Sequence, residues 1–329
     1  MKNYLRNVLS QIFFCVLFTI IFTKSVSAQL LHINTENLHA EAGINFGPTF
    51  FLGDLGVDPN TLSSFAKTIN DPLKKFMKGA YVSIYPKEWL GVRLAIQYTY
   101  VEGDDKTILT MGRTENYRKE RNLDFRSNIW EAYTAAEFFP IMFLKRNDIE
   151  YAPRLKPYVF AGIGVYHFNP QGSLTDQNGN KTWHFLHPLH TEGEGFSEYP
   201  NRKPYSLTQL NIPFGGGVKY KLTEKVNLGL ELLYRKTFTD YIDDISTTYI
   251  DKASFNKNLS STDAYMAMRL FDKSPSSAGR SSSVVKRGNP GKNDSYFSLA
   301  LKLGIRLSNN FDNDNDRNAS KGVKCPARF

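Results

Sequence analysis

The chain has 329 residues, 14% of them aromatic and 22% charged, with a formal net charge of +9 and two cysteines. Such a length can bury a sizeable core, and the absence of any dense basic helix excludes nucleic-acid binding as the meaning of the positive balance. Beyond the N-terminus no segment offers the roughly eighteen consecutive apolar residues of a spanning helix, so any membrane crossing falls to strands.

Lys2 and Arg6 precede an apolar run over residues 12–22, and Val26-Ser27-Ala28 supplies small residues for a peptidase. This reads as a secretory signal peptide cleaved after Ala28, because the run is too short for a spanning anchor. Export takes Lys2, Arg6, Lys24 and Cys15 with it, leaving Cys325 with no intramolecular partner. Residues 29–39 form a short periplasmic lead-in.

The first strand is expected over 40–52, where Ala42, Ile44, Phe46, Phe50 and Leu52 share one parity and Glu41, Gly43, Asn45, Gly47 and Thr49 the other. Residues 61–78 then carry helical spacing (Phe65, Ile69, Leu73, Phe76) interrupted at Pro72, read as a loop with a short amphipathic helix. Strands follow over 79–85, 90–100, 127–138 and 157–168, the last with apolar residues on both parities and its facing therefore open. Further strands are predicted over 207–222, 226–240 and 296–307. In the stretch 226–240, Val226, Leu228, Leu230, Leu232, Tyr234 and Phe238 fall on one side. Asn227, Gly229, Glu231, Arg235, Thr237 and Thr239 fall on the other, with Leu233 as an apolar intruder. Residues 274–283, Ser-rich with Pro and Gly, have a composition that cannot bury a core.

Connection lengths then select the architecture. Those after the second and sixth strands are three-residue turns, whereas those after the first, third, fifth and seventh are long. Short periplasmic turns alternating with long outer loops predict an all-β fold, an eight-stranded antiparallel transmembrane barrel over 40–307 with a basic periplasmic tail at 308–329. Localisation in the bacterial outer membrane follows, with lipid against the apolar parity. The interior then receives Glu41, Arg93, Glu131, Glu137, Lys219, Lys221, Glu231, Arg235, Lys302 and Arg306. Eight strands leave a bore that side chains fill, so these charges are expected to pair as a rigid network.

Three constellations invite chemistry. His184, His187 and His190, near Glu192 and Glu194, have ligand-type side chains, but Pro188 disturbs the helix that would align them and no metal is expected. Asp240, Asp243 and Asp244 form an oxygen-rich cluster that lacks the ligand spacing and turning glycine of an EF-hand. They are expected to cap the loop and pair with Arg202, Arg235 or Lys236. His167 has no serine one or two positions away on its strand, so no nucleophile–base pair forms and no enzyme is expected. No cofactor is called for.

The opening strand Glu41-Ala42-Gly43-Ile44-Asn45-Phe46-Gly47 is followed by Leu52-Gly53-Asp54-Leu55, and a loop carries Pro188-Leu189-His190-Thr191-Glu192-Gly193-Glu194-Gly195. With Pro213-Phe214-Gly215-Gly216-Gly217 and the run from Tyr234 through Asp240, Asp243 and Asp244 to Ser246, the chain resembles a family of small bacterial outer-membrane barrels. One branch of that family is the barrel subunit of the type IX secretion and gliding apparatus. The resemblance covers about residues 40–307 and implies a non-enzymatic barrel that anchors periplasmic ring subunits, a lipoprotein and its partner. The alternative is a narrow pore or small-solute transport barrel. The long Ser/Lys/Arg-rich fourth outer loop and the tail ending Lys324-Cys325-Pro326-Ala327-Arg328-Phe329 depart from the family pattern.

Overall fold

The computed structural model describes residues 39–55, 76–107, 118–146, 153–274 and 285–307. The signal peptide, most of the lead-in, residues 61–75 of the expected helical segment, nearly all of the Ser-rich stretch and the tail with Cys325 lie outside the described residues, whereas Phe76 to Lys78, expected at the end of that segment, open strand β2. Among the described residues nine strands follow in order: β1 His39–Leu52, β2 Phe76–Lys87, β3 Leu90–Asp104, β4 Asp124–Phe138, β5 Leu155–Thr175, β6 Lys181–Phe185, β7 Thr208–Lys221, β8 Val226–Thr237 and β9 Ser295–Leu307. Eight of them form a ring. Each pairs antiparallel with its neighbours, β1 joins β9, and the β4–β5 pairing closes the circuit. The fold is thus a closed, eight-stranded antiparallel barrel, while β6 pairs only with the end of β5 and stands above the ring as a hairpin.

The period-two pattern decides what faces where. Ile44, Ile84, Leu94, Trp130, Ile163, Leu210, Leu230 and Leu301, one from each barrel strand, are all exposed on the outside. An apolar ring of that extent is not a surface for water, and it matches the lipid face of a transmembrane barrel. Facing inward are Tyr81, Tyr85, Tyr133, Tyr158, Phe160 and Leu233, packed with Met77 and Phe139 into one buried cluster. Gly43 and Gly304 face each other across the β1–β9 ladder, and a Cβ on either would collide with Tyr81. The two glycines make the slot that lets this ring lie across the bore.

The two ends of the barrel differ. At the short-turn end, β2–β3 and β7–β8 are joined by tight turns, and helix α1, Pro140–Leu144, follows β4 directly. Its Met142 and the adjacent Phe139 pack against the lumen cluster at that mouth. At the other end the long connections fold into a cap with its own core. Helices α2, Lys252–Asn258, and α3, Ser261–Leu270, pack Phe255, Ala264, Ala267 and Leu270 against Leu186, Leu189 and Phe196. Asp251 and Ser260 cap these helices by accepting from the backbone N–H groups of Ala253 and Asp263.

Several expectations are corrected here. The β5 parity left open resolves with Tyr158, Phe160, Tyr166 and Phe168 inward and Val159, Ile163 and Val165 outward; the inner side looked apolar because aromatic rings fill the lumen. The connection after β8 is a folded cap rather than plain loop, and β8 ends at Thr237, before Asp240. Lys221 and Arg306 are not interior: they lie at the short-turn mouth, beside Glu224 at 2.6 Å and Glu88 at 3.9 Å, because the register carries both past the lumen.

Leu230 and Val226 share a face of β8, the first near mid-height and the second at the strand end. In refolding from urea into lipid vesicles, Leu230→Arg is expected to cost about 2–4 kcal/mol and Val226→Arg about 0–1 kcal/mol. Equal losses would mean that β8 does not cross a bilayer.

Candidate functional site

The lumen is the first candidate, and strand parity builds it. Four carboxylates, Glu41, Glu131, Glu137 and Glu231, meet four cations, Arg93, Lys219, Arg235 and Lys302, all buried. Arg93 is the hub. Its Nε donates to Glu137 Oε1 at 2.5 Å, and its two terminal nitrogens donate to the Glu231 oxygens at 3.0 and 2.7 Å. A guanidinium fork is the side chain suited to such bidentate pairing, and the Phe160 ring lies 4.8 Å from its carbon. Glu231 also accepts from Lys302 Nζ at 3.0 Å and from the Tyr158 hydroxyl at 2.6 Å.

Towards the short-turn end, Lys219 donates to both Glu41 oxygens and to the Tyr85 hydroxyl, which in turn donates to Glu137. Towards the long-loop end, Arg235 donates to Glu131, Gln97 and Ser298, and Asn211 donates to Glu131 at 2.6 Å. The chain of contacts runs from one end of the bore towards the other. Charges that neutralise one another at hydrogen-bond distance offer no free acid, base or ion site. Arg306, expected in this network, stands apart from it at the mouth.

The second candidate is the base of the outer cap, where the acidic loop residues gather. Glu192 accepts from the Ser246 and Thr247 backbone N–H groups, from the Thr247 hydroxyl and from Arg287 at 3.0 Å. Asp244, with φ of 63°, accepts from Thr191 and from the Tyr205 hydroxyl at 2.6 Å, with Arg287 3.8 Å away. The Glu194 carboxyl is pushed up by burial and by its neighbours Asp244 and Glu192, while one of its oxygens accepts from the Glu192 N–H. Asp243 accepts from the N–H groups of Leu55 and Ile245, tying this loop to the one after β1.

The cations expected beside these acids are elsewhere. Arg202 donates to the carbonyls of Glu192 and Thr248, and Arg235 points into the lumen. Arg287 and Arg121, far away in sequence, are the ones that enter the cap. Sequence spacing gives no sign of them, and Asp105, which holds Arg121 through both oxygens, is equally silent. The histidines do not converge as a ligand set: His184 contacts Thr182 on β6, and His187 contacts the Tyr205 carbonyl. His167 meets Thr208 on the outer face of the barrel.

No family model matches the sequence, and no curated protein matches it. Solved structures with a similar strand arrangement include the attachment invasion locus protein Ail of Yersinia pestis, at 7% identity and a TM-score of 0.32, matching 82% of this chain and 97% of that one. Neisserial surface protein A matches at 12% identity and 0.33, over 82% and 97% of the two chains. A major outer membrane protein from Thermus thermophilus matches at 12% and 0.36, over 82% and 99%. At these identities and scores they are likenesses of strand arrangement and carry nothing about function.

Glu231 offers the direct test of the lumen network. Glu231→Leu strips Arg93 and Lys302 of a buried partner and is expected to cost about 3–5 kcal/mol. Glu231→Gln keeps a hydrogen-bond acceptor and should cost less. The temperature of the heat-modified gel shift measures both, and a rise for Glu231→Leu would show that Glu231 is no buried partner.

Proposed function

We propose that the protein is a non-enzymatic β-barrel of the bacterial outer membrane with a closed lumen, serving as a structural and anchoring component. The observation that carries this reading is the Arg93–Glu137–Glu231–Lys302 network, which spans the bore among buried aromatic rings. The apolar ring on all eight strands supports membrane residence, and the long loops supply the outer cap. A transport barrel needs a path through or beside the network; an enzyme needs a free nucleophile or base.

We further propose the association with type IX secretion that the family motifs imply, with the short-turn mouth as the contact for periplasmic ring subunits. Arg154, Lys156, Lys221 and Arg306 line that mouth beside Glu88 and Glu224. Its cationic excess suits a partner with acidic surface.

Purified protein in a planar bilayer is expected to give no steady single-channel steps, and steps would overturn the closed-lumen reading in favour of a pore. Orientation is tested by maleimide labelling of intact cells, where the thiol introduced by Ser282→Cys should react and Cys325 should not. Pull-down from crosslinked outer membranes through a tag near Ser282 should recover periplasmic ring subunits; recovery of none would leave the barrel without a secretion role.

A further inference from the structure

We propose that the wall formed by β3, β4, β5 and the β6 hairpin binds the phosphorylated sugar headgroup of an outer-leaflet glycolipid, whose acyl chains lie on the apolar band below. The inference rests on the reading of this chain as an outer-membrane barrel with its long-loop end outside. Strand register lays the outward side chains of this wall in rows that climb from the band. Ile96, Ala132 and Val165 form one row, with Ile96 59% and Val165 43% exposed, and Tyr98, Trp130 and His167 form the next. Above them stand Tyr100, Asn128 and Asn169, then Glu102, Arg126, Gln171 and Phe185. Asp104 and Asp124 follow, with Ser173, which donates to Asp124, and its β6 partner Trp183.

Apolar wall, aromatic rings and then charge is also the order in which a membrane lipid presents its own parts. Tyr98 and Trp130, their ring centres 5.0 Å apart, suit the boundary between hydrocarbon and headgroups. Strand rise places Arg126 roughly 13 Å beyond Trp130 along β4, and Asp124 roughly 7 Å further, distances that strand tilt shortens along the bilayer normal. That is the level at which a sugar headgroup carries its phosphate.

Two recesses lie on this wall, the lower of about 340 Å³ and lined by Tyr98, Tyr100, Arg126, Asn128 and Gln171. Arg126 is held in place there. Its Nε donates to Gln171 Oε1 at 2.8 Å, and its guanidinium carbon lies 4.3 Å from the centre of the Trp183 ring. Neither contact uses the two terminal nitrogens, the pair that matches two oxygens of a phosphate.

The upper recess, of about 470 Å³, has Lys106, Lys181, Lys252, Arg269 and Lys273 in its lining. Asp104, Asp124 and Asp272 stand among them, but Asp124 binds Lys181 and Lys273 together, and Asp272 accepts from the N–H and hydroxyl of Ser274. With Arg126 and its cross-strand neighbour Glu102 included, six cations meet four carboxylates, an excess of two positive charges. A basic recess beside a membrane surface recognises an anionic headgroup by that complementarity. The lower recess opens on the lipid-facing wall, which favours a ligand anchored in the membrane over a soluble anion.

The test uses the mature full-length chain refolded into dodecyl maltoside micelles, with folding checked by the heat-modified gel shift and bound lipid counted by native mass spectrometry. Diphosphoryl lipid A should bind, the same lipid with its phosphates removed should bind at least about tenfold more weakly, and glucosamine phosphate without acyl chains should also bind at least about tenfold more weakly. Arg126→Gln, which removes a charged donor, should lose about tenfold in affinity for diphosphoryl lipid A. The double variant Lys106→Gln and Arg269→Gln, both at exposed positions, should lose a similar factor and guards against misfolding as the cause. Lys236→Gln, exposed on the outward face of β8, should stay within about twofold of the parent. Equal affinity for the two lipids, or parental affinity in both Arg126→Gln and the double variant, would overturn the proposal while leaving the barrel reading intact. Glucosamine phosphate binding as tightly as the lipid would overturn it in favour of a soluble anion. A chain that gives no heat-modified folded form in micelles would overturn both.

Discussion

An eight-stranded ring encloses a bore that only side chains can fill, so every polar group that strand parity sends inward must find its partner there. Arg93 answers that demand by holding Glu137 and Glu231 at once, and neighbouring features follow from it. Tyr158 turns its hydroxyl to Glu231 because that carboxylate is already fixed. Tyr81 lies across the bore, its hydroxyl on Glu41, because Gly43 and Gly304 leave room for the ring. Removing either charge of the central pair would leave its partner buried with one charge fewer to neutralise it, Arg93 with Glu137 or Glu231 with Lys302, which gives the barrel an interior that tolerates little change.

The same parity that loads the lumen with charge leaves the outside apolar on all eight strands. Both surfaces are products of one alternation, and together they assign the barrel its medium. The long-loop end obeys a different physics. There the chain folds into a cap with its own apolar core of Phe255, Leu270, Phe271 and Tyr249, seated on a layer of carboxylates and arginines. Polar groups at that layer are satisfied mainly by backbone N–H donors from other loops, which ties the cap to the rim of the barrel.

What the sequence made legible was the part governed by a local rule. Period-two alternation sorts Glu41, Arg93, Glu131, Glu137, Glu231, Arg235 and Lys302 to the inner side before any pairing is known. Where that rule loses contrast, the reading weakens: in β5 aromatic rings fill the lumen side and resemble the lipid side. The cap was hidden for another reason. Arg287 meets Glu192, and Asp243 meets Leu55, across loops far apart in sequence, and spacing carries no trace of such partners. The two helices of the cap were less hidden, since Asp251 and Ser260 stand where N-caps should, ahead of Phe255 and of Ala264 and Ala267. Their signal lies inside a stretch whose Ser-rich end made the whole connection look unstructured.

The bore is closed by charges that depend on one another. A double-mutant cycle on Arg93→Met and Glu231→Leu measures that dependence, with unfolding from urea in lipid vesicles as the readout. The double variant is expected to lose less stability than the two single variants added together, by at least about 1 kcal/mol, because removing both members of the pair leaves neither without the other. Additive losses would mean that Arg93 and Glu231 do not act on each other, and the closed lumen would need another explanation.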